Sequence, residues 1–222
     1  MTIDLTVFCG KGDFRTYLHD PFSIGEYSYA TDGHVAIRVP RRDDVPEIEN
    51  APDIGKVFAP LADLAFSPLP SIEIPAVPLP ACADCDGKGY GEQCSECDGE
   101  GNHGCDCEYC DRECDECDGT GIMVADGDLP EDQRLPCETC DGRGTRLDDR
   151  DIVFSDELVL AARFVARLLA LPGPHEMAIQ THSAFGTPQF FRFNGGIVVI
   201  MPRRRSNKRD GEIVVAAKEA AL

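Results

Sequence analysis

Four copies of one cysteine motif carry the clearest chemistry in this chain of 222 residues. Each copy reads CxxCDGxG, and the copies begin at Cys82, Cys94, Cys114 and Cys137. Two residues between the cysteines of a pair allow both sulfurs to reach one tetrahedral ion, with zinc–sulfur bonds of about 2.3 Å. A glycine soon after the second cysteine permits a positive φ, which turns backbone N–H groups toward the sulfurs. Two motifs complete one four-sulfur site, so the four copies predict two structural zinc sites.

Three further cysteines and a histidine lie between the second and third motifs. They are His103, Cys105, Cys107 and Cys110. One cysteine-rich set of this kind can form a third zinc site with three sulfurs and one nitrogen. The other interpretation is that these thiols are spare, or are alternative ligands in a shifted register.

The segment 81–151 that contains the motifs differs in composition from its flanks. It holds 22 acidic and six basic residues, and eleven of the twelve cysteines of the chain, which has a net charge of −19. Its few aliphatic side chains cannot offset the conformational entropy lost on folding, so bound metal is expected to supply the missing free energy. Clustered cysteines are typical metal ligands in a reducing compartment. We therefore expect a cytoplasmic location, since residues 1–18 lack signal-peptide features and no apolar run is long enough to span a membrane.

The flanking segments predict an α+β fold. We expect one domain of two similar helix-plus-strands halves, residues 1–80 and 152–205, interrupted by a small β-hairpin zinc domain at 81–151 and followed by a C-terminal tail at 206–222. Asp32-Gly33 predicts a hairpin turn within 26–39. Ser155 and the apolar spacing after it predict a helix over 155–171. Further strands are predicted at 2–9, 71–75, 176–181, 189–193 and 196–201, and a short helix at 56–65.

The repeated motif resembles the cysteine-rich zinc domain of DnaJ-type co-chaperones, which has CxxCxGxG motifs. The resemblance implies a nested pairing of the first motif with the fourth and of the second with the third. One zinc would then be bound by Cys82, Cys85, Cys137 and Cys140, and the other by Cys94, Cys97, Cys114 and Cys117. The His-Pro-Asp turn of the co-chaperone's J domain is missing, because His19-Asp20-Pro21 has a different order.

Two flanking segments resemble bacterial DNA polymerase sliding clamps. The segment Ala30-Thr-Asp-Gly-His34 matches the start of the clamp motif ATDGHRLA, and Val199-Ile-Met-Pro202-Arg is similar to the closing clamp strand VVMPMR. The resemblance implies a domain of two similar halves and a cleft for partner peptides. The residues of this chain that match the cleft positions of the clamp are Thr31, Gly33, His34, Met201 and Pro202. Val35 replaces the arginine of the clamp motif, and a clamp of one domain per chain would need six copies to close a ring.

These features favour a binding protein over an enzyme, because the histidines are not spaced with any nucleophile and the carboxylates lie mostly on the acidic insertion. The leading hypothesis is a non-enzymatic zinc-binding interaction module, an accessory factor in bacterial or phage DNA replication or repair. The alternatives are a chaperone-like protein that binds unfolded polypeptide and a clamp-like ring that binds DNA. For nucleic acid, the candidate contacts are Arg203, Arg204, Arg205, Lys208 and Arg209, although a solubilising tail is the simpler interpretation.

Overall fold

The computed structural model describes residues 3–10, 15–48, 53–104, 111–180, 186–205 and 211–215. The chain divides into two compact units. Met1–Val77 and Asp148–Leu222 form the first, which we call the sheet unit, and Pro78–Leu147 form the second, which we call the cysteine unit. The cysteine unit is thus an insertion within the sheet unit.

The described residues form fifteen strands and two α-helices. The strands are β1 (Phe22–Ile24), β2 (Tyr27–Thr31), β3 (Val35–Pro40), β4 (Ala65–Pro68), β5 (Tyr90–Gln93), β6 (Asn102–Gly104), β7 (Asp111–Glu113), β8 (Ile122–Met123), β9 (Leu135–Pro136), β10 (Asp151–Val153), β11 (Val159–Ala161), β12 (Glu176–Ile179), β13 (Gln189–Phe193), β14 (Gly196–Ile200) and β15 (Glu212–Val214). The helices are α1 (Gly55–Phe58) and α2 (Ala162–Leu169).

The sheet unit is built on a seven-stranded sheet with the order β1-β2-β3-β14-β13-β12-β4. All neighbouring strands are antiparallel. Two three-strand meanders, β1–β3 and β12–β14, meet where β3 pairs with β14 at the centre of the sheet. One meander thus comes from the chain before the cysteine unit and the other from the chain after it. The elements before the two meanders differ, because α2 precedes the second meander while, among the described residues, the 3₁₀ turns Thr6–Phe8 and Thr16–Leu18 precede the first.

The hairpin predicted around Asp32-Gly33 is present, with β2 and β3 as its strands. Asp32 fixes the turn, because its Oδ1 atom accepts hydrogen bonds from the backbone N–H groups of His34 (2.8 Å) and Val35 (2.9 Å). Gly33 has a φ of +88°, a conformation in which a side chain is strained. The local sequence therefore sets the position at which the chain enters the central strand β3.

Two layers cover the faces of the sheet. One face packs against α2, and Ile37, Phe191 and Val198 are buried there with Leu168 of the helix. The other face packs against α1 and the 3₁₀ turn Ala59–Asp63, where Phe58 is buried with sheet residues such as Phe190. The alternation of side chains along each strand supplies both cores. Burial of one such aromatic side chain contributes about 1.5–3 kcal/mol.

The helix predicted over 155–171 is shorter than expected and covers only Ala162–Leu169. Ser155 does not cap it; its hydroxyl oxygen accepts the N–H groups of Glu157 and Leu158 in the turn between β10 and β11. All three residues of β11, Val159–Ala161, are buried. Pairing with β10 and burial on both sides outweigh the helical spacing of these apolar residues.

Other predicted elements differ from the structure as well. Within 2–9 the chain forms a 3₁₀ turn at Thr6–Phe8 in place of a strand, and the Asp4 carboxylate accepts the N–H of Thr6 there (3.0 Å). Residues 71–75 form no strand. The helix expected at 56–65 is α1 followed by a 3₁₀ turn. Strands are present as β12, β13 and β14 within the ranges predicted at 176–181, 189–193 and 196–201, of which residue 181 lies outside the described residues.

Short strands and 3₁₀ turns make up the cysteine unit. β5 is central, because its first residues pair with β9 and its last residues pair with β8. A second hairpin is formed by β6 and β7. The two main groups of buried apolar side chains in this unit consist of cysteines. Across the described ranges, no helix has both the length and the apolar character needed to cross a membrane.

Candidate metal centres

The first and fourth cysteine motifs meet at one end of the central strand β5. Their cysteines, Cys82, Cys85, Cys137 and Cys140, are all buried, and their four sulfurs lie within 4.8 Å of one another. The Sγ atoms of Cys82 and Cys137 are 3.9 Å apart, and those of Cys85 and Cys140 are 3.8 Å apart. We call this group the outer cluster.

The second and third motifs meet at the other end of β5. Cys94, Cys97, Cys114 and Cys117 form a second buried group with the same 4.8 Å limit between sulfurs. The Sγ–Sγ distance is 3.9 Å between Cys94 and Cys114 and 3.7 Å between Cys97 and Cys117. We call this group the inner cluster. The structure thus brings the cysteines together in the nested arrangement that the DnaJ-type resemblance implies.

The spacing of the sulfurs fits zinc. A tetrahedral ion with bonds of about 2.3 Å places its sulfurs about 3.8 Å apart, which matches the distances in both clusters. Four buried thiols form a soft donor set that suits zinc. Each cluster can therefore bind one zinc ion, in agreement with the two structural sites that the sequence predicts. Four cysteine ligands close the coordination shell, which is typical of structural rather than hydrolytic zinc.

Each motif folds as a tight turn that aims an N–H group at a sulfur. The N–H of Gly89 donates to the Sγ of Cys85 at 3.2 Å, and the other three motifs repeat this bond at 3.2–3.3 Å. Such bonds stabilise thiolates. The aspartate after the second cysteine adopts a positive φ in every motif, at 49° for Asp86. The sequence analysis assigned no role to these aspartates. The signal that could have identified them is an aspartate before glycine in all four motifs, since aspartate tolerates the left-handed backbone conformation.

The paired motifs also contact each other through the backbone. The N–H of Cys82 donates to the carbonyl of Gly144, and the N–H of Cys137 donates to that of Gly89, both at 2.9 Å. The inner cluster repeats the arrangement with Cys94 and Gly121, and with Cys114 and Gly101. A Cβ atom on Gly101 would lie 2.2 Å from the carbonyl oxygen of Gly119. The last glycine of the motif is thus required for close approach as well as for its φ.

The pKa values of the cysteine thiols determine how strongly protons compete with zinc for the sulfurs. Burial raises the pKa of Cys94 to about 11 and that of Cys137 to about 12. Burial acts in the same direction on Cys117, but the Gly121 N–H and the neighbouring thiols outweigh it and lower the pKa to about 7. Since zinc binds thiolates, binding at neutral pH must displace protons from the thiols whose pKa is raised.

The third candidate site is only partly covered by the described residues. His103 is exposed on β6, where it lies opposite Arg112 of β7. Cys105, Cys107 and Cys110 lie outside the described residues. The third zinc therefore stays a prediction.

The structure brings the two clamp-like segments together. β3 pairs with β14, and beyond the last paired residues the N–H of Met201 donates to the carbonyl of His34 at 2.8 Å. Thr31 is buried and donates its hydroxyl to the carbonyl of Val35, while Pro202 is partly buried. The exposed His34 ring stacks on Phe164 of α2, with the two ring centres 6.3 Å apart.

The aspartate of the same turn is tied to α2. Asp32 pairs with Arg167 at 2.8 Å, and both side chains are largely buried. The guanidinium groups of Arg163 and Arg167 lie over the ring of Phe164, at 4.6 and 5.4 Å from its centre. Sequence reasoning missed Asp32, Phe164 and Arg167 as parts of this region, because their contact joins residues far apart in the chain.

In the basic stretch 203–209, the structure describes residues 203–205, and two of these arginines form ion pairs. Arg203 pairs with Asp149 and with the fully buried Asp151, at 2.6 Å for the latter. Arg205 pairs with Glu212 at 2.6 Å. Arg204 is exposed, and Lys208 and Arg209 lie outside the described residues. Arg203 is thus an internal structural contact of the sheet unit.

We compared the chain with family models, curated proteins and solved structures. No family model matches the chain. No curated protein and no solved structure matches it either.

Proposed function

We propose that this protein is a non-enzymatic, zinc-stabilised interaction protein that acts in bacterial or phage DNA replication or repair. The sheet unit presents a partner-binding surface, and the cysteine unit is an acidic module stabilised by two zinc ions. The proposal combines the geometry of the clusters with the resemblance of the Ala30–His34 and Val199–Arg203 segments to sliding clamps.

The observation that carries the proposal is the hydrogen bond between Met201 and His34. These residues belong to two segments that are far apart in the chain, and the clamp resemblance assigns both to a cleft for partner peptides. In this protein one sheet places them side by side, next to the exposed His34 ring on Phe164. A half-buried methionine beside an accessible aromatic ring suits an apolar peptide side chain.

The chemistry of the clusters supports a binding role. Four sulfurs from the chain complete each coordination shell, which leaves no position for a substrate or an activated water. The segment 81–151 carries a net charge of −16 before metal binding. Such a surface attracts basic partners and repels DNA. The cysteine unit is therefore suited to proteins that themselves bind nucleic acid.

Affinity capture tests the proposal. The wild-type protein and the variants His34→Ala and Lys56→Ala are used as baits in a bacterial lysate, and the captured proteins are identified by mass spectrometry. Lys56 is a matched control, because its side chain is exposed on α1, which covers the opposite face of the sheet. We expect replication or repair proteins on the wild type and on Lys56→Ala, and their loss on His34→Ala.

Two outcomes contradict the proposal. Capture of only chaperones and unfolded polypeptides would favour the chaperone-like alternative. A six-membered assembly in native mass spectrometry, with DNA binding that weakens steeply as salt rises, would favour the ring that binds DNA.

A further inference from the structure

Arg38 lies on the face of the sheet opposite α2, in an aromatic environment. It occupies β3 two residues after Ala36, which is buried with Phe58 and Phe190 on that face. Its guanidinium carbon is 4.4 Å from the centre of the Tyr27 ring and 4.9 Å from that of the Phe58 ring. Contact with two rings restricts a guanidinium group and lowers the entropy lost when it binds a ligand.

A second arginine provides an internal comparison. Arg38 pairs with Ile197 of β14, and Ile197 pairs with Arg192 of β13, so both arginines lie in one row across the sheet. Arg192 also stacks on an aromatic ring, that of Phe66 at 4.0 Å, but it forms an ion pair with Glu176 at 3.1 Å. Among the residues that the structure describes, no carboxylate pairs with Arg38; its guanidinium group hydrogen-bonds the Tyr29 hydroxyl.

The Tyr29 hydroxyl adds a donor beside Arg38. Tyr29 is buried on the same face, and burial raises the pKa of its hydroxyl although the nearby Arg38 charge acts in the opposite direction. The hydroxyl therefore stays protonated at neutral pH and can donate to an anion. The Tyr27 side chain is 37 % exposed and offers apolar surface next to these donors.

We propose that Arg38 and Tyr29 bind the phosphate group of a ligand on this face of the sheet, and that the Tyr27 ring packs against the organic part of that ligand. A planar guanidinium that no carboxylate neutralises has N–H groups left over beside Tyr29, and such a group matches the oxygens of a phosphate in a bidentate geometry. Two acidic groups on the elements that form this face are already paired, Asp53 with Lys56 and Glu176 with Arg192. The site is separate from the His34 surface, which faces α2.

Nuclear magnetic resonance of the arginine side chains tests the site in the zinc-loaded full chain. Inorganic phosphate and thymidine 5′-monophosphate are added separately at constant ionic strength, and the Nε–Hε signals of Arg38 and Arg192 are followed. We expect the Arg38 signal to shift and saturate while the Arg192 signal stays unchanged. Tighter binding of the nucleotide than of free phosphate would identify a phosphate ester as the ligand and Tyr27 as its apolar contact.

Three variants separate binding from folding. Arg38→Gln is expected to weaken phosphate binding at least about tenfold, and Tyr29→Phe, which keeps the buried ring, about fivefold. Arg192→Gln is the matched control and is expected to bind phosphate as the wild type does. Equal, non-saturating shifts of both arginines, or unchanged binding by Tyr29→Phe and Arg38→Gln, would overturn the proposal. If Arg38→Gln does not fold, the titration of the wild type and the phosphate affinity of Tyr29→Phe still test whether this site binds phosphate.

Discussion

The outer and inner clusters share one motif and one coordination geometry, but they join different lengths of chain. Paired cysteines are 55 residues apart in the outer cluster and 20 apart in the inner cluster. Closing the longer loop costs about 0.9 kcal/mol more in a flexible chain. Because the inner cluster lies within the loop that the outer cluster closes, zinc binding at the inner site shortens the chain that the outer site must order.

The strand β5 connects the two clusters physically. Gln93 immediately precedes Cys94 and pairs with β8, while Tyr90 follows Gly89 and pairs with β9, which leads into Cys137. A formed inner cluster holds β5 in place, and β5 then positions β9 with its cysteines. Identical local motifs therefore need not have identical metal affinities, since the surrounding topology decides the cost of bringing them together.

Removal of one cluster at a time gives the largest expected effect. In Cys97→Ser/Cys117→Ser we expect loss of the inner zinc and of amide protection around the inner cluster. In Cys85→Ser/Cys140→Ser the inner zinc should stay bound, with an affinity at least about fivefold higher than that of the outer zinc in the first variant. Competition with a chromophoric chelator and hydrogen exchange measure these quantities.

A control and a contrary result sharpen this experiment. Cys9→Ser changes a buried cysteine outside both clusters and should retain two zinc ions. If the outer cluster alone binds zinc as tightly as the inner cluster alone, the loop argument is wrong.

Acidification is expected to release zinc from both clusters. Burial raises the pKa of Cys94 to about 11 and of Cys137 to about 12, so each of these thiols takes up a proton when zinc leaves. The zinc-dependent stability is therefore present at high pH and lost as pH falls. Affinity should fall about tenfold per pH unit for each proton displaced. Chelator competition at several pH values measures the slope, and a pH-independent affinity would contradict thiolate ligation.

Glycine substitutions should have the next largest effect. In Gly101→Ala of the inner cluster, the new Cβ would lie 2.2 Å from the carbonyl oxygen of Gly119. We expect a loss of more than about 2 kcal/mol, measured by thermal unfolding of the zinc-loaded protein. Gly127→Ala is the control for backbone strain, because Gly127 also has a positive φ but has open space around its Cα. Equal effects of the two substitutions would show that contact between the motifs is unimportant.

Local signals were sufficient for the parts of the structure that local chemistry determines. The Asp32-Gly33 turn and the cysteine motifs are fixed by residues within eight positions of one another, and sequence reasoning found them. The pairing of the motifs is not local, and only the resemblance to a zinc domain implied it. The helix expected at 155–171 is partly strand, because residues 159–161 pair with β10 and are buried. Arg203 and Phe164 likewise take their roles from distant partners.

The smallest expected effect concerns the point where the chain returns from the outer cluster to the sheet unit. Arg150 pairs with Asp148 at 2.7 Å and donates to the carbonyl of Pro75 at 2.8 Å, which ties the returning chain to the departing one. The Arg150 guanidinium lowers the pKa of Asp148, so this stabilisation is present above the ordinary carboxyl pKa of about 4 and is lost as pH falls below it.

Asp148→Asn should therefore destabilise the sheet unit by about 1 kcal/mol at pH 7 and have little effect in acid, as measured by denaturant unfolding. Asp53→Asn, which alters an exposed ion pair with Lys56, is the control and should have little effect at either pH. Both variants should retain two zinc ions with unchanged affinities, because the backbone of the cysteine motifs, and not the ends of the insertion, holds the ligands of the outer cluster. A weakened outer zinc in Asp148→Asn would instead mean that the sheet unit contributes to the difference between the clusters.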